Sequence, residues 1–255
     1  MNIYSRIFLL LAAAISFSFH SHAATGSLQE AVQDVMKMEH RTDADTKRDK
    51  NRMPHAALAF FGLRQDMKVI EFAPGNGWYT KILAPLLKDR GELYLAYKQE
   101  WLDSLDDILK YKALSKAKKL PMDLGWNSEE YRYEFGKKID FGMSDADMVL
   151  CIREYHNFGA KDRARFNQAA YKALRPGGSY VVVDHSRRPM APETWELRRR
   201  EDPVKVILEI QAAGFELVKS SDMFYRPDDE LRYEVGRATV TGNTDRFTLV
   251  FRKPE

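Results

Sequence analysis

Two periods of apolar residues alternate along this chain. A short apolar run at 67–72 is followed by Pro74-Gly75-Asn76-Gly77, after which 78–87 carries apolar residues at helical spacing. The pattern predicts strand, glycine turn, helix. Further strands are expected at 92–97, 131–135, 147–152, 179–183, 215–219 and 246–252. Helices are expected at 28–39, 54–61, 99–119, 161–174 and 203–213. Ser27 and Glu30 read as a capping box for the first of these, while Pro54 and Pro203 occupy tolerated first-turn positions. Residues 40–52 and 220–243 show no period, which predicts a solvated loop and a long surface excursion. The basic runs at 116–119 and 195–200 read as solvated charge. Short apolar strands alternating with helices predict an α/β fold with a doubly wound, mostly parallel sheet.

Composition narrows the class without naming a reaction. The 255 residues, 44% hydrophobic and 30% charged, suffice for one α/β domain with a full core. A net charge of +3, from 40 basic and 37 acidic residues, offers no sign of a nucleic-acid surface. Cys151 is the sole cysteine, so no intrachain disulfide can form and no cysteine-rich metal site is expected. The amino terminus differs from the rest: Arg6, an apolar stretch at 7–19, then Ser21-His22-Ala23 at the spacing a signal peptidase reads. The apolar run is shorter than the roughly 20 residues that span a bilayer. The expected organisation is a cleavable signal at 1–23, an N-terminal helix and polar loop at 24–53, and an α/β domain at 54–255. That organisation predicts export, to a bacterial periplasm or beyond the cell, with no transmembrane segment after cleavage. Oligomeric state is not legible.

The candidate chemistry gathers at the ends of the expected strands. The turn fails the dinucleotide pattern G-x-G-x-x-G, because Thr80 stands at the third glycine. Instead Glu71, Ala73, Gly75 and Gly77 fall at the spacing of motif I of class I AdoMet-dependent methyltransferases, which this stretch resembles, with Ala73 where glycine is usual. A tight strand-to-helix turn of another α/β protein is the alternative. The acid that commonly holds ribose after the second strand is missing: Tyr97 or Lys98 takes its place, and Glu100 serves only if the loop turns. After 147–152 comes Arg153-Glu154-Tyr155-His156-Asn157-Phe158, which should face the same cleft as Gly75. His156 suits a general base, since imidazole titrates near neutrality, or it hydrogen-bonds its loop. Asp184 and His185, at the end of 179–183, are candidates for substrate contact or proton handling. Arg48, Asp49 and Arg52 either lie in a solvated loop or cover the cleft and bind an anionic group.

From Arg48 to Lys253 the chain resembles a family of exported bacterial methyltransferases. The likeness is carried by Arg48-Asp49, Leu58-Ala59-Phe60-Phe61-Gly62-Leu63, the motif from Glu71 to Thr80, Tyr155-His156-Asn157, Arg175-Pro176-Gly177-Gly178, Asp184-His185, Ala213-Gly214-Phe215 and Thr244-Asp245-Arg246-Phe247. It implies a Rossmann-like seven-stranded sheet with an antiparallel seventh strand, S-adenosyl-L-methionine (AdoMet) as cofactor, and a small-molecule or envelope-associated acceptor. The implied cofactor residues are Glu71, Ala73, Gly75, Gly77 and Glu100. Tyr79, His156 and His185 fall around the methyl and acceptor, with Arg48, Asp49, Arg52, Arg153, Asn157 and Asp184 toward the substrate. Glu154 departs from the pattern, an amide being expected there. A catalytically degenerate fold serving as a ligand-binding module is the second reading; a nicotinamide-dependent oxidoreductase fits the glycine pattern less well.

Overall fold

A computed structural model describes residues 21–255, with side chains from residue 28 onward. The expected signal lies outside the described residues through residue 20. Nine strands are present among them: β1 (Lys68–Phe72), β2 (Glu92–Tyr97), β3 (Lys118–Pro121), β4 (Leu124–Asn127), β5 (Arg132–Phe135), β6 (Ala146–Ile152), β7 (Leu174–His185), β8 (Glu216–Phe224) and β9 (Arg246–Arg252). Seven form one sheet in the order β3-β2-β1-β6-β7-β9-β8. β9 runs antiparallel to both β7 and β8, and the pairs from β3 through β7 are parallel. This is the expected mostly parallel seven-stranded sheet with an antiparallel last strand.

The helices are α1 (Ser21–Val35), α2 (Asp43–Thr46), α3 (Asp49–Arg52), α4 (Pro54–Phe61), α5 (Thr80–Leu87), α6 (Gln99–Asp103), α7 (Asp106–Leu109), α8 (Ala160–Ala173) and α9 (Pro203–Gln211). They cover both sheet faces, so the inner strands are apolar on both sides, as parallel strands require. Alternation along the strands sorts the core into two layers. Val69, Leu150, Val181 and Val183 pack with α1, α4 and α5, whereas Ile70, Val149, Tyr180 and Val182 pack with Phe166 of α8 and Ile210 of α9. Leu28, Val32 and Val35 of α1 belong to the first layer, so the N-terminal segment shares the core of the α/β domain. Cys151 is fully buried and its thiol is pushed well up by burial, which keeps it in the inert thiol form.

Four expectations need correction. The helix expected at 28–39 begins at Ser21 and ends at Val35, so Ser27 does not open it. Its continuation tightens into i to i+3 bonds, Lys37 N–H to Asp34 O and Met38 N–H to Val35 O, which turn the chain toward α5. The helix expected at 99–119 breaks into α6 and α7. Lys118 and Lys119 then enter β3, whose lysines and Pro121 suit an edge strand. That strand takes the place expected for 131–135, and β5 instead pairs antiparallel with β4 in a separate two-stranded ribbon. Finally, the run at 195–200 and the excursion after β8 are not all solvated. Arg200 is 1% exposed, and its guanidinium meets the buried Asp229 carboxylate at 2.8 Å. Val235 and Val240 of the excursion are buried too.

Candidate active site

β1 pairs with β2 on one side and β6 on the other, so the winding order reverses between β1 and β6. Open α/β sheets leave a crevice beyond the carboxyl ends of the strands at such a reversal. Here it is a cavity of about 280 Å³ whose lining includes Glu71, Phe72 and the whole Ala73-Pro74-Gly75-Asn76 turn. Trp78 and Tyr79 close one side, Arg153 and Glu154 another, and Arg48 and Arg52 the remainder. The glycines are needed for backbone shape. Gly75 has φ +55 and Gly77 φ +74, and a Cβ on Gly77 would stand 2.5 Å from Ile108 Cδ1. Ala73 holds φ +49 without being glycine, which explains why glycine is the usual residue there and costs about 1 kcal/mol.

The Glu71 carboxylate is buried and accepts the Thr80 hydroxyl at 2.8 Å. Burial pushes it up to about 7, partly offset by the Thr80 bond and by Arg52. A carboxyl raised in the folded state binds its proton more tightly there, so its contribution is present in acid and lost as pH rises from about 4.5 through 7. Glu71→Gln should therefore raise stability by less than about 1 kcal/mol at pH 5. At pH 8 it should raise stability by about 3 kcal/mol at most. Melting curves at the two pH values check this, and equal shifts at both would show that Glu71 is ionised throughout.

The polar stretch before α4 is a folded strap. Thr42 and Asp45 make a reciprocal capping box at α2. Asp45 then anchors the strap on α5, through an ion pair with Lys81 at 2.7 Å and a bond from Trp78 Nε1–H to its carbonyl at 3.0 Å. His40 adds a 2.7 Å bond to Lys81 O. The strap carries Arg48 and Arg52 over the cavity, and Arg52 lies over the Trp78 ring at 4.5 Å. Asp49 does not reach the site: Arg41 holds it bidentately, at 2.6 and 3.1 Å.

Beyond Arg153 and Glu154 a second cavity of about 310 Å³ is lined by His156, Asn157 and His185, with Trp126 and Tyr131 of the ribbon region. His156 Nδ1 lies 2.7 Å from Asp184 Oδ1, and its backbone N–H donates to Asp184 Oδ2 at 2.9 Å. Asp184 is fully buried and also accepts the His185 N–H at 2.7 Å. It lines none of these cavities, so its reach is to His156 and not to a ligand. The geometry places the His156 proton on Nδ1, toward the carboxylate. Nε2 has no partner among the described residues.

His185 is different. Arg153 Nε–H donates to His185 Nε2 at 3.3 Å, so Nδ1 carries the ring proton and donates to Thr244 Oγ1 at 2.8 Å. Burial and the neighbouring Arg153 hold this imidazole well below its ordinary pKa, hence neutral. No lone pair is left for a proton from substrate. Tyr79 lines the first cavity, T-shaped against Trp78 at 4.7 Å, and burial raises its phenol above the ordinary value. Glu100 lies elsewhere: the chain enters α6 directly after Lys98, and the exposed Glu100 carboxylate faces Lys98 Nζ at 3.5 Å.

Glu154 was not among the expected site residues. It lines both cavities, and its carboxylate accepts Tyr133 O–H at 2.6 Å and Asn157 Nδ2–H at 2.9 Å. Burial raises it above the usual carboxyl range. Arg246 was missed as a site residue as well, because it reads as the first residue of a strand. Its position in the resembled Thr244-Asp245-Arg246-Phe247 segment was the available signal.

No protein-family model matches the chain, and no curated protein matches its sequence. Solved structures do match. A SAM-dependent methyltransferase from Aquifex aeolicus aligns over 84% of this chain and 100% of its own, with a TM-score of 0.55 and 16% identity. The cyclase SpnF aligns over 91% and 96%, with a TM-score of 0.55 and 14% identity. An O-methyltransferase family protein from Burkholderia thailandensis aligns over 92% of this chain and 61% of its own, with a TM-score of 0.51 and 12% identity. At these identities the likeness shows the fold. It is the Rossmann-like fold of SAM-dependent methyltransferases.

Proposed function

We propose that this chain is an AdoMet-dependent methyltransferase acting on a small molecule. One observation carries the reading: the glycine turn and its buried Glu71 line a cavity at the sheet's reversal point, and Arg153 and Glu154 connect it to a second cavity lined by His156, whose ring is held from behind by the Asp184 carboxylate. The first cavity fits AdoMet in part. Arg48 and Arg52 would hold the methionine carboxylate, and Glu154, on the same cavity, would suit its cationic groups. The absent acid after β2 leaves the ribose without its usual acceptor. When bound, the cofactor supplies a methyl group already activated by its sulfonium.

The chain's own residues then have limited tasks. The two cavities, joined at Arg153 and Glu154, would hold cofactor and acceptor next to each other, which would lower the barrier by positioning. Asp184 fixes the His156 ring with Nδ1 toward the carboxylate, so that Nε2 faces away and takes the proton an acceptor O–H or N–H must lose. His185 positions Arg153 and stays neutral.

Calorimetry with the full chain tests the cofactor assignment. AdoMet and S-adenosylhomocysteine are expected to bind with micromolar affinity, and Gly75→Val or Gly77→Val should abolish it by strain and by filling the turn. No heat up to millimolar AdoMet would remove the transferase reading. The second reading, a degenerate fold that binds another ligand, draws on the strained Ala73 and the displaced Glu100, and would then lead. We also propose export with removal of 1–23. Intact mass of the protein from the periplasmic fraction would start at Ala24, and a product retaining Met1 in the cytoplasm would overturn it.

A further inference from the structure

A third cavity, of about 680 Å³, adjoins the first two and has an unusual charge balance. Lys47, Arg48, Arg52, Arg153, Arg199 and Arg246 all line it, and no aspartate or glutamate does. The whole chain is nearly balanced, at 40 basic against 37 acidic residues, so this is local accumulation. The six cations come from the strap, the end of β6, the loop before α9 and the start of β9. Only Arg199 has a carboxylate partner among the described residues, Glu234.

The neighbouring acids are committed elsewhere: Asp45 to Lys81, Asp49 to Arg41, and Asp245 to the Arg226 N–H. Burial and the nearby Arg153 and Arg48 push the Arg52 guanidinium down to about 9, and burial brings Arg246 to about 10. Both stay charged at neutral pH. Arg246 is buried and Arg52, Arg153 and Arg199 are partly so, and like charges brought this close are costly unless an anion joins them. A single carboxylate, such as AdoMet would bring to the first cavity, could not pair with groups on four elements. Thr244, which accepts from His185 Nδ1 and keeps its own O–H to donate, adds a neutral group suited to an oxyanion oxygen.

We propose that this cavity binds a phosphoryl group carrying at least two negative charges. Guanidinium forks and an ammonium match the oxygens of such a group, which accept several charge-assisted bonds at once. Arg153 lines all three cavities and His185 two of them, so a compound anchored here extends directly toward His156. That this compound is the methyl acceptor rests on the transferase reading; that it binds here does not.

Calorimetry of the full chain with inorganic pyrophosphate and with glycerol 3-phosphate, each without AdoMet, tests the site. Saturable 1:1 binding is expected, weakened about tenfold by Arg246→Gln and by Lys47→Glu, the second an exposed substitution that spares the core. AdoMet affinity should be unchanged in Lys47→Glu, since Lys47 does not line the first cavity. Vesicles containing phosphatidic acid, competed with pyrophosphate, separate a lipid headgroup from a soluble phosphate as the source. Absence of binding by every phosphorylated probe up to about 10 mM would overturn the proposal, and so would binding indifferent to both variants. If AdoMet binds in that event, the cofactor assignment stands. If pyrophosphate binds and AdoMet does not, the anion site stands and the transferase reading falls.

Discussion

His156→Ala is expected to slow methyl transfer by about 10²–10⁴-fold, the usual worth of a positioned general base, while leaving AdoMet affinity intact. The ring contacts Asp184 and the second cavity, and it does not line the first. Asp184→Asn should act in the same direction, because an amide at Oδ2 or Oδ1 disrupts the acceptance of two backbone N–H groups and the ring N–H. The loss should fall on kcat, measured at saturating AdoMet with an acceptor found among phosphorylated compounds. If His156→Ala turns over within about twofold of the parent, the base is another group. Glu154 would be the next candidate, since it lies between the two cavities.

Asp229→Ala is expected to cost about 3–5 kcal/mol of stability, the penalty for leaving a buried charge unpaired. Both members of the Arg200–Asp229 pair have fully buried side chains. Arg200 also donates to Ser186 O at 3.0 Å and Tyr233 O at 2.7 Å, while Asp229 accepts the Asp245 N–H at 2.7 Å. The pair thus ties the loop before α9, the excursion after β8 and the entry to β9, where Arg246 faces the third cavity. Urea denaturation would measure the loss. The double variant Arg200→Met/Asp229→Leu should be less destabilised than Asp229→Ala, because it removes both charges together. A single variant within about 1 kcal/mol of the parent would mean that water reaches Arg200 when its partner is gone.

Where period and punctuation agreed, the reading held to within a residue or two: Pro54–Phe61 closed by Gly62, the β1 strand and its turn, and Pro203–Gln211 capped by Asp202. It failed where a local pattern competed with sheet pairing. Leu102, Leu105 and Leu114 keep helical spacing and are all buried, yet Lys118–Pro121 pairs with β2 as the edge strand. Residues 40–52 looked solvated because polar residues in sequence carry no sign of their partners. In space Asp45 meets Lys81 and Asp49 meets Arg41.

The sequence by itself determined the class of fold and the place of its ligand crevice, because strand period, glycine turns and helix caps are local properties of the chain. It also brought His156, Asp184, Arg153 and the glycine turn to one edge of the sheet, since topology alone puts strand ends together. The tertiary structure decided everything that depends on pairing across the fold. It made His156 the ring with an unpartnered nitrogen and left His185 with none, though both are buried histidines beside Asp184. It moved Glu100 away and brought Glu154 in. It also converted scattered arginines into a cavity without a counter-charge, because charge at a point in space is the sum over elements far apart in sequence.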